Sequence, residues 1–244
     1  MIKAFCCFYN EAALIPFFLS HYHFVATIEA FVSPSLDATR ELLAADPRVI
    51  LRDVLMPDGI DDDIKVAWIN DAVRRRDPQH TWHLVLDADE FLWPPGDPAG
   101  ATVSAFLDRV PPSDVVLGAR MVQVYRHASD RDLDPTATPV VLQRRHGTPS
   151  DIPKPIVIRS NQALTFVPGN HRVLGVAVSA THRFDGAHWQ NADPAFAVTR
   201  RIRDRKERMS KTNIARGHGV HHYHHTAADV HAELERHRHD DQQF

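Results

Sequence analysis

Acidic side chains follow four apolar runs of the sequence, and the sharpest of these groups is Asp87-Ala88-Asp89. Two aspartates two residues apart at the end of a buried strand can project toward one point, one binding a cation directly and the other through a water. Carboxylate oxygens suit Mg²⁺ or Mn²⁺, ions that keep several waters and bridge to substrate phosphates. The alternative to cation binding is a purely structural role, in which the Asp-x-Asp sequence caps the next segment. Carboxylates also follow the other runs, at Glu11, Asp37 and Asp53, and such crowding destabilises a fold unless cations or donors lie among them.

The apolar runs that precede these carboxylates are short and alternate with longer amphipathic stretches, a pattern typical of β-α-β units. Strands are predicted at 2–8, 28–32, 49–52 and 82–86, and helices at 14–24, at 36–45 and around 61–72. We therefore expect an α/β fold with a mostly parallel, Rossmann-like central sheet and helices on both faces. Ligands of such sheets bind beyond the carboxyl ends of the strands, where the four acidic groups would meet.

The second half of the chain is less regular. The pattern predicts a helix at 103–110, a long strand at 115–125, short strands at 156–158, 164–167 and 173–178, and a polar helix at 194–214. Turn-forming residues predict loops at 130–139 and 147–155. With no repeat and no long linker, 1–244 is expected to form one domain.

Composition excludes several classes of protein. The chain has 244 residues, 43% hydrophobic and 24% charged, which rules out disordered, collagen-like and disulfide-scaffold proteins. A formal charge of −3 provides no global attraction to nucleic acid or to a membrane, and no apolar stretch reaches the roughly 18 residues of a bilayer span. Adjacent Cys6 and Cys7 are predicted to be buried thiols, which favours a reducing compartment. We expect a cytoplasmic protein, with the inner face of the membrane as the alternative location.

Three segments resemble the leading motifs of family 2 type glycosyltransferases, and specifically the bacterial branch whose fourth strand ends in Asp-x-Asp-Glu-Phe. They are Phe8-Tyr9-Asn10-Glu11, Val32-Ser33-Pro34-Ser35-Leu36-Asp37-Ala38-Thr39 and Leu84-Val85-Leu86-Asp87-Ala88-Asp89-Glu90-Phe91-Leu92. Softer likenesses continue downstream, at Lys154-Pro155-Ile156-Val157-Ile158, Pro168-Gly169-Asn170-His171, Ala187-His188-Trp189 and Gly217-His218-Gly219. The likeness thus spans nearly the whole chain, and is most specific in the first ninety residues.

The resemblance implies a GT-A fold, a nucleotide-diphosphate sugar donor and a divalent cation, Mn²⁺ or Mg²⁺. It divides the chain into a nucleotide-sugar-binding half, 1–93, and an acceptor half, 94–244, that ends in a His-rich tail. The implied donor-binding residues are Tyr9, Asn10, Glu11, Asp37 and Asp87; the implied metal ligands are Asp87, Asp89 and, from a later loop, His188. Where relatives often carry Asp-Gly-Thr, this chain has Asp37-Ala38-Thr39, so the turn there is expected to differ.

Spacing does not identify the base that would deprotonate an acceptor hydroxyl. Asp185 is the first choice and His171 the second, although loop residues of this kind more often serve only as hydrogen-bond partners. The basic run 200–208 fits phosphate binding and a solvated helix face equally well. The five histidines between 218 and 225 are not spaced as a dedicated zinc site; one or two of them are expected near the cleft, with the tail folding back over it.

These observations predict a metal-dependent glycosyltransferase, of the hexosyl-transferring type, acting in bacterial polysaccharide or glycoconjugate synthesis. Its partners would be the nucleotide-diphosphate sugar and a saccharide or lipid-linked acceptor, with no nucleic acid and at most peripheral membrane contact. Two alternatives stay open: a nucleotidyltransferase or phosphohydrolase that uses the same carboxylate rim, and an inert nucleotide-sugar-binding module. The reaction products would separate the first alternative from glycosyl transfer, and the intact Asp87/Asp89 pair argues against the second.

Overall fold

A single large sheet forms the centre of the molecule in the computed structural model, which describes residues 1–150, 154–219, 225–240 and 242–243. Its first four strands are β1 (Ile2–Phe8), β2 (Thr27–Val32), β3 (Val49–Asp53) and β4 (Trp82–Asp87). They are mutually parallel and lie side by side in the order β3-β2-β1-β4. The predicted α/β class and the parallel strands of the first half are confirmed.

The remaining strands extend the same sheet beyond β4. They are β5 (Glu90–Trp93), β6 (Val116–Tyr125), β7 (Gly147–Pro149), β8 (Lys154–Arg159) and β11 (Arg183–Asn191), in the order β4-β8-β6-β11-β5, with β7 paired to β6. Strand β8 is antiparallel to both β4 and β6, whereas β11 is parallel to β6. Two short strands, β9 (Thr165–Phe166) and β10 (Val173–Leu174), form a separate hairpin.

Helices cover both faces of the sheet, as predicted. They are α1 (Ile15–His21), α2 (Thr39–Ala44), α3 (Asp62–Arg74), α4 (Val103–Asp108), α5 (Pro194–Val198), α6 (Lys211–Arg216) and α7 (Ala227–His237). One core cluster joins α1, α2 and α4 to the sheet, and a second joins α3 to the opposite face. Strand β4 is apolar and buried along almost its whole length because it is covered on both sides.

Helix α3 begins at a well-formed cap. The Asp61 carboxylate accepts hydrogen bonds from the backbone N–H groups of Asp63 and Ile64, and acidic residues occupy the first turn, where they suit the helix dipole. This cap fixes the start of the helix beside the carboxyl end of β4. Consequently Lys65, in the first turn, is delivered to the predicted site.

Several predictions for the second half are wrong. The loop predicted at 147–155 contains β7 and the start of β8, with 151–153 outside the described residues. The strand predicted at 173–178 is only two residues long, and the long strand β11 was not predicted. The helix predicted at 194–214 is three elements: α5, a π-helical segment (Thr199–Lys206) and α6. Helix α7, which was not predicted, begins at a capping box formed by Thr226 and Asp229.

No helix within the described ranges is both long enough and apolar enough to cross a bilayer.

Candidate functional site

Two adjoining cavities lie beyond the carboxyl ends of β1 and β4. The larger has a volume of about 530 Å³, and its walls include Glu90, His171 and His188. The smaller, of about 100 Å³, is lined by Tyr9 and Glu11 among others. Residues common to both linings include Lys65 and Asp87, so the two spaces meet at the end of β4. The predicted location of the site, at the carboxyl rim of the parallel strands, agrees with these cavities.

Asp89 lies in the turn between β4 and β5, and neighbouring elements hold that turn in place. The Tyr22 hydroxyl, at the end of α1, donates to the carbonyl of Glu90 at 2.8 Å and accepts from the N–H of Leu92 at 3.1 Å. The backbone N–H of Trp189 donates to the carbonyl of Asp89 at 2.7 Å, and this hydrogen bond joins the turn to β11. His188, next to Trp189, is thereby brought to the Asp89 carboxylate.

The Asp89 carboxylate is buried and has two nitrogen partners on one oxygen. Its Oδ2 atom lies 3.0 Å from His188 Nε2 and 3.0 Å from Arg200 Nη2. Burial by itself would raise the pKa of Asp89, but Arg200 and His188 hold that pKa well below its usual range. Asp89 is therefore an anion at neutral pH.

Asp87 is held between two lysines. Lys65, from α3, contacts Oδ1, and Lys154 Nζ, from the start of β8, lies 3.3 Å from Oδ2. Lys154 also contacts Glu90, which accepts a hydrogen bond of 2.9 Å from the Asp87 N–H. Burial opposes ionisation of Asp87, but the two ammonium groups outweigh burial and keep the pKa of Asp87 well below its usual range. Asp87 is thus a fixed, ionised acceptor on the wall of both cavities.

Glu11 shares the Arg200 guanidinium with Asp89. Arg200 Nη1 contacts Glu11 Oε2, and both side chains line the smaller cavity. Burial raises the pKa of the Glu11 carboxyl to about 8, although Arg200 opposes that shift. Glu11 can therefore hold a proton at neutral pH, unlike the aspartates beside it.

Tyr9 lies next to Glu11 on the rim and carries a cation on its ring. The Arg208 guanidinium carbon lies 3.4 Å from the centroid of the Tyr9 ring, within stacking distance. Both side chains line the smaller cavity.

Asn10 and Asp37, predicted to bind the donor, are engaged within the protein. Asn10, at φ 52°, donates from Nδ2 to Asp204 at 2.9 Å and accepts from the Leu36 N–H at 2.7 Å. Asp37 accepts from the Thr39 N–H at 3.0 Å and from the Ala12 N–H at 3.1 Å. Neither side chain belongs to the described lining of the two cavities. These contacts join the ends of β1 and β2, and their donor-binding roles remain predictions.

The two candidate bases occupy different places. His171 lines the larger cavity, whereas Asp185, on β11, is not part of its described lining and pairs with Arg120 at 2.7 Å. Asp185 and His188 are three residues apart on one strand, so their side chains point to opposite faces of the sheet. Burial and the charge of Lys154 lower the pKa of His171, which leaves its ring neutral at pH 7.

A turn with two left-handed residues presents His171 to the cavity. Gly169 has φ 81° and Asn170 has φ 56°. A Cβ atom added to Gly169 would lie 2.9 Å from Cδ2 of the His171 ring, closer than side-chain carbons ordinarily approach. Glycine at 169 therefore serves both the backbone conformation and the position of the imidazole.

Helix α7 supports the π-helical segment that carries Arg200. Arg201, 5% exposed, donates from Nη2 to Glu233 at 2.9 Å, and this Nη2 also lies 2.8 Å from Nδ1 of His225. Glu233 also accepts from the Tyr125 hydroxyl at 3.2 Å. The basic run thus divides: Arg200 and Arg201 are enclosed, whereas Arg203 is 58% exposed along its side chain.

The donor set at the site fits a divalent cation in part. Within the described stretches, no three His, Cys, Asp or Glu side chains are grouped to hold a metal ion, and the metal roles of Asp87, Asp89 and His188 remain predictions. Asp89 Oδ2 and His188 Nε2 nevertheless offer an oxygen and a nitrogen 3.0 Å apart. Ions of the Mg²⁺ and Mn²⁺ type often take one or two protein ligands and complete their shell with water and phosphate oxygens. Asp89 and His188 fit this kind of binding, whereas the two oxygens of Asp87 contact Lys65 and Lys154.

Sequence reasoning missed the site roles of Lys65 and Lys154, whereas Arg200 belongs to the basic run 200–208, for which phosphate binding was one of two predictions. A compositional signal was present, because the chain has only five lysines and two of them contact Asp87. Lys154 also opens one of the softer motifs of the resemblance. Of the His-rich tail, His218 lines the larger cavity, whereas His221, His222 and His224 lie outside the described residues.

The chain matches no protein-family model and no curated protein. Among solved structures it is similar to a mycobacterial protein, with 14% identity, a TM-score of 0.41 and coverage of 77% of this chain. The chain spans 65% of the length of that protein. It is also similar to a 4-diphosphocytidyl-2C-methyl-D-erythritol synthase, with 10% identity, a TM-score of 0.36 and coverage of 66% of this chain and 75% of the other. Similarity at this level assigns no activity.

Proposed function

We propose that the protein is a glycosyltransferase that moves a sugar from a nucleotide-diphosphate donor to a hydroxyl group of a saccharide or lipid-linked acceptor. The observation that carries the proposal is the meeting of Glu11, Asp87 and His188 on the walls of two joined cavities at the carboxyl rim of the sheet, with the buried Asp89 carboxylate directly behind His188. One space has the size of a ligand pocket, and the smaller one extends it toward Tyr9. The family resemblance supplies the donor class.

In this proposal Asp89 and His188 hold the divalent cation, and Asp87 accepts hydrogen bonds from the donor. A bound cation of this kind supplies Lewis-acid neutralisation of the charge that develops on a diphosphate leaving group. Lys65 and Lys154 keep Asp87 ionised and fix its orientation, because each holds one of its two oxygens. A carboxylate fixed in this way accepts hydroxyl hydrogen bonds without first having to reorganise.

His171 is the proposed general base. It lines the larger cavity, and its lowered pKa leaves the ring neutral and able to accept the proton of the acceptor hydroxyl at pH 7. Asp185, the first choice from sequence, is paired with Arg120 on the opposite face of β11 from His188. Comparison of His171→Gln with Asp185→Asn tests the assignment: the first substitution should reduce kcat about a hundredfold and the second far less.

A second candidate, nucleotidyl transfer, is favoured by the two lysines at Asp87, because ammonium groups also bind the phosphates of a nucleoside triphosphate. Products separate the two reactions. Incubation with UDP-, GDP- and CDP-sugars and Mn²⁺ should release the nucleoside diphosphate and free sugar slowly. Release of nucleoside monophosphate and sugar phosphate from these donors, or of pyrophosphate in a parallel incubation with a nucleoside triphosphate and a sugar phosphate, would contradict glycosyl transfer.

Substitution of the cation ligand tests the same proposal. Asp89→Asn should abolish both the Mn²⁺-dependent thermal shift with nucleoside diphosphates and product release, since a ligand that binds only the native state raises its apparent stability. The matched control is Asp132→Asn, which alters an aspartate whose side chain is 92% exposed. Retention of Mn²⁺-dependent binding in Asp89→Asn would remove the metal role of Asp89. By the same proposal, the reaction belongs to bacterial polysaccharide or glycoconjugate assembly in the cytoplasm, with the inner face of the membrane as the alternative location.

A further inference from the structure

We propose that Arg200 is an internal counter-ion that holds Asp89 in the ligand-free protein and releases it to a divalent cation when a nucleoside diphosphate binds. In the ligand-bound protein, the freed guanidinium pairs with the diphosphate. The proposal rests on the glycosyltransferase function proposed above, because it uses the same cation pair and the same donor class.

Position is the first argument. The Arg200 guanidinium bridges Glu11 and Asp89, with Nη2 3.0 Å from Asp89 Oδ2 and Nη1 in contact with Glu11 Oε2. These two carboxyl groups come from different strand ends, β1 and the β4–β5 turn. The Arg200 side chain is only 15% exposed, and it lines the smaller cavity. Arg200 is therefore enclosed in the candidate site rather than on a solvated helix face.

Competition for one atom is the second argument. Asp89 Oδ2 is 3.0 Å from both His188 Nε2 and Arg200 Nη2, so the oxygen of the proposed cation pair already has a positive partner. A buried carboxylate without a positive partner is strongly destabilising, and the Arg200 guanidinium is such a partner for Asp89. A divalent cation at Asp89 and His188 would repel the guanidinium, because like charges interact strongly in a poorly solvated site.

The destination of the guanidinium is the third argument. Arginine presents a planar fork that pairs with two phosphate oxygens at once. Arg200 already lines the smaller cavity beside Tyr9, so a diphosphate entering there meets it directly. Cation and diphosphate would then each favour binding of the other, because the diphosphate removes the competitor for Asp89 and linkage is reciprocal.

The proposal is tested by one substitution that should have opposite effects on the affinity for Mn²⁺ and on the affinity for a nucleoside diphosphate. We expect Arg200→Gln to bind Mn²⁺ alone roughly tenfold more tightly than the wild type, because its competitor is gone. The same variant should bind UDP, GDP or CDP at saturating Mn²⁺ at least about tenfold more weakly, because the phosphate partner is lost. The full-length protein is titrated with Mn²⁺, and the concentration of free ion is followed by its electron paramagnetic resonance signal. Nucleotide affinity is measured by calorimetry. A residue that only supported the fold would weaken both.

The control is Arg203→Gln, which makes the same change of charge at an exposed side chain of the same segment. It should change Mn²⁺ affinity by less than about twofold, since exposed charges are screened. If Arg200→Gln does not fold, Glu11→Gln/Arg200→Gln replaces both partners of the Glu11–Arg200 contact and is compared with Glu11→Gln, again with tighter Mn²⁺ binding expected.

Two results would overturn the inference. Unchanged or weaker Mn²⁺ binding on loss of Arg200, in a wild type that binds both probes, contradicts the counter-ion role alone. A wild type that binds neither Mn²⁺ nor any of the three nucleotides contradicts the proposed function together with this inference.

Discussion

Gly169→Ala should damage the site through His171 rather than through the fold. Gly169 has φ 81°, and an added Cβ would meet Cδ2 of the His171 ring at 2.9 Å. An L-residue in this left-handed conformation costs about 1–2 kcal/mol. For a domain of this size that corresponds to a fall in Tm of about 2–8 °C. Because the imidazole must also move by several tenths of an ångström, we expect kcat to fall between tenfold and a hundredfold.

Gly175 provides a matched control. Its φ is 79°, so alanine there meets the same backbone strain, but nothing lies within 4 Å of the added Cβ. Gly175→Ala should therefore lower Tm as much as Gly169→Ala does and leave kcat near the wild-type value. The assay is release of nucleoside diphosphate, with thermal unfolding measured on the same preparations.

A double substitution completes the comparison. If Gly169 acts by positioning His171, Gly169→Ala should cause little further loss of kcat in a His171→Gln background, because interacting residues are not additive. Equal loss of kcat in Gly169→Ala and Gly175→Ala would refute the reasoning. Full additivity with His171→Gln would refute it as well.

Two further predictions concern stability. Burial raises the pKa of Glu11 from 4.5 to about 8. The stabilising contribution of protonated Glu11 to the free energy of unfolding is therefore complete below about pH 4.5 and is lost as the pH rises through 8. Glu11→Gln has a neutral side chain at every pH. Between pH 5 and 8.5 its free energy of unfolding, measured in urea, should therefore rise relative to that of the wild type by on the order of 3 kcal/mol. The same substitution at exposed Glu41 should produce no such rise. Glu233→Ala should lower the free energy of unfolding by about 3 kcal/mol, because buried Arg201 loses its partner. Glu235→Ala, at a side chain 65% exposed on the same helix, should cost less than about 0.5 kcal/mol; equal losses at 233 and 235 would contradict this account.

The first four strands were predictable because each is a run of apolar residues bounded by polar ones. Central parallel strands are covered on both faces, so burial and sequence pattern coincide, as along β4. Strand β11 escaped prediction because its sequence, Arg-Phe-Asp-Gly-Ala-His-Trp-Gln-Asn, mixes polar and apolar residues without regular alternation. Its strand conformation comes from pairing with β6 and β5, which lie far away in the sequence.

The neighbours of the site residues could not be read from the sequence. Asp89 meets His188 because β11 pairs with β5 and the backbone N–H of Trp189 donates to the carbonyl of Asp89, a contact across about a hundred residues. Lys154 reaches Asp87 because β8 pairs with β4 in an antiparallel register. Asn10, which the motif predicts to be donor-binding, donates a hydrogen bond to Asp204, nearly two hundred residues away.

The amino-acid sequence by itself determined the α/β class and the rim where polar groups collect, because strand burial and the carboxyl ends of strands are local properties of the chain. Tertiary structure alone decided which charge lies against which. Arg200 belongs to a basic run that fits a solvated helix face equally well in sequence, yet in the fold it bridges Glu11 and Asp89. Electrostatic interactions depend on distance in space and on burial, and neither is encoded by spacing along the chain.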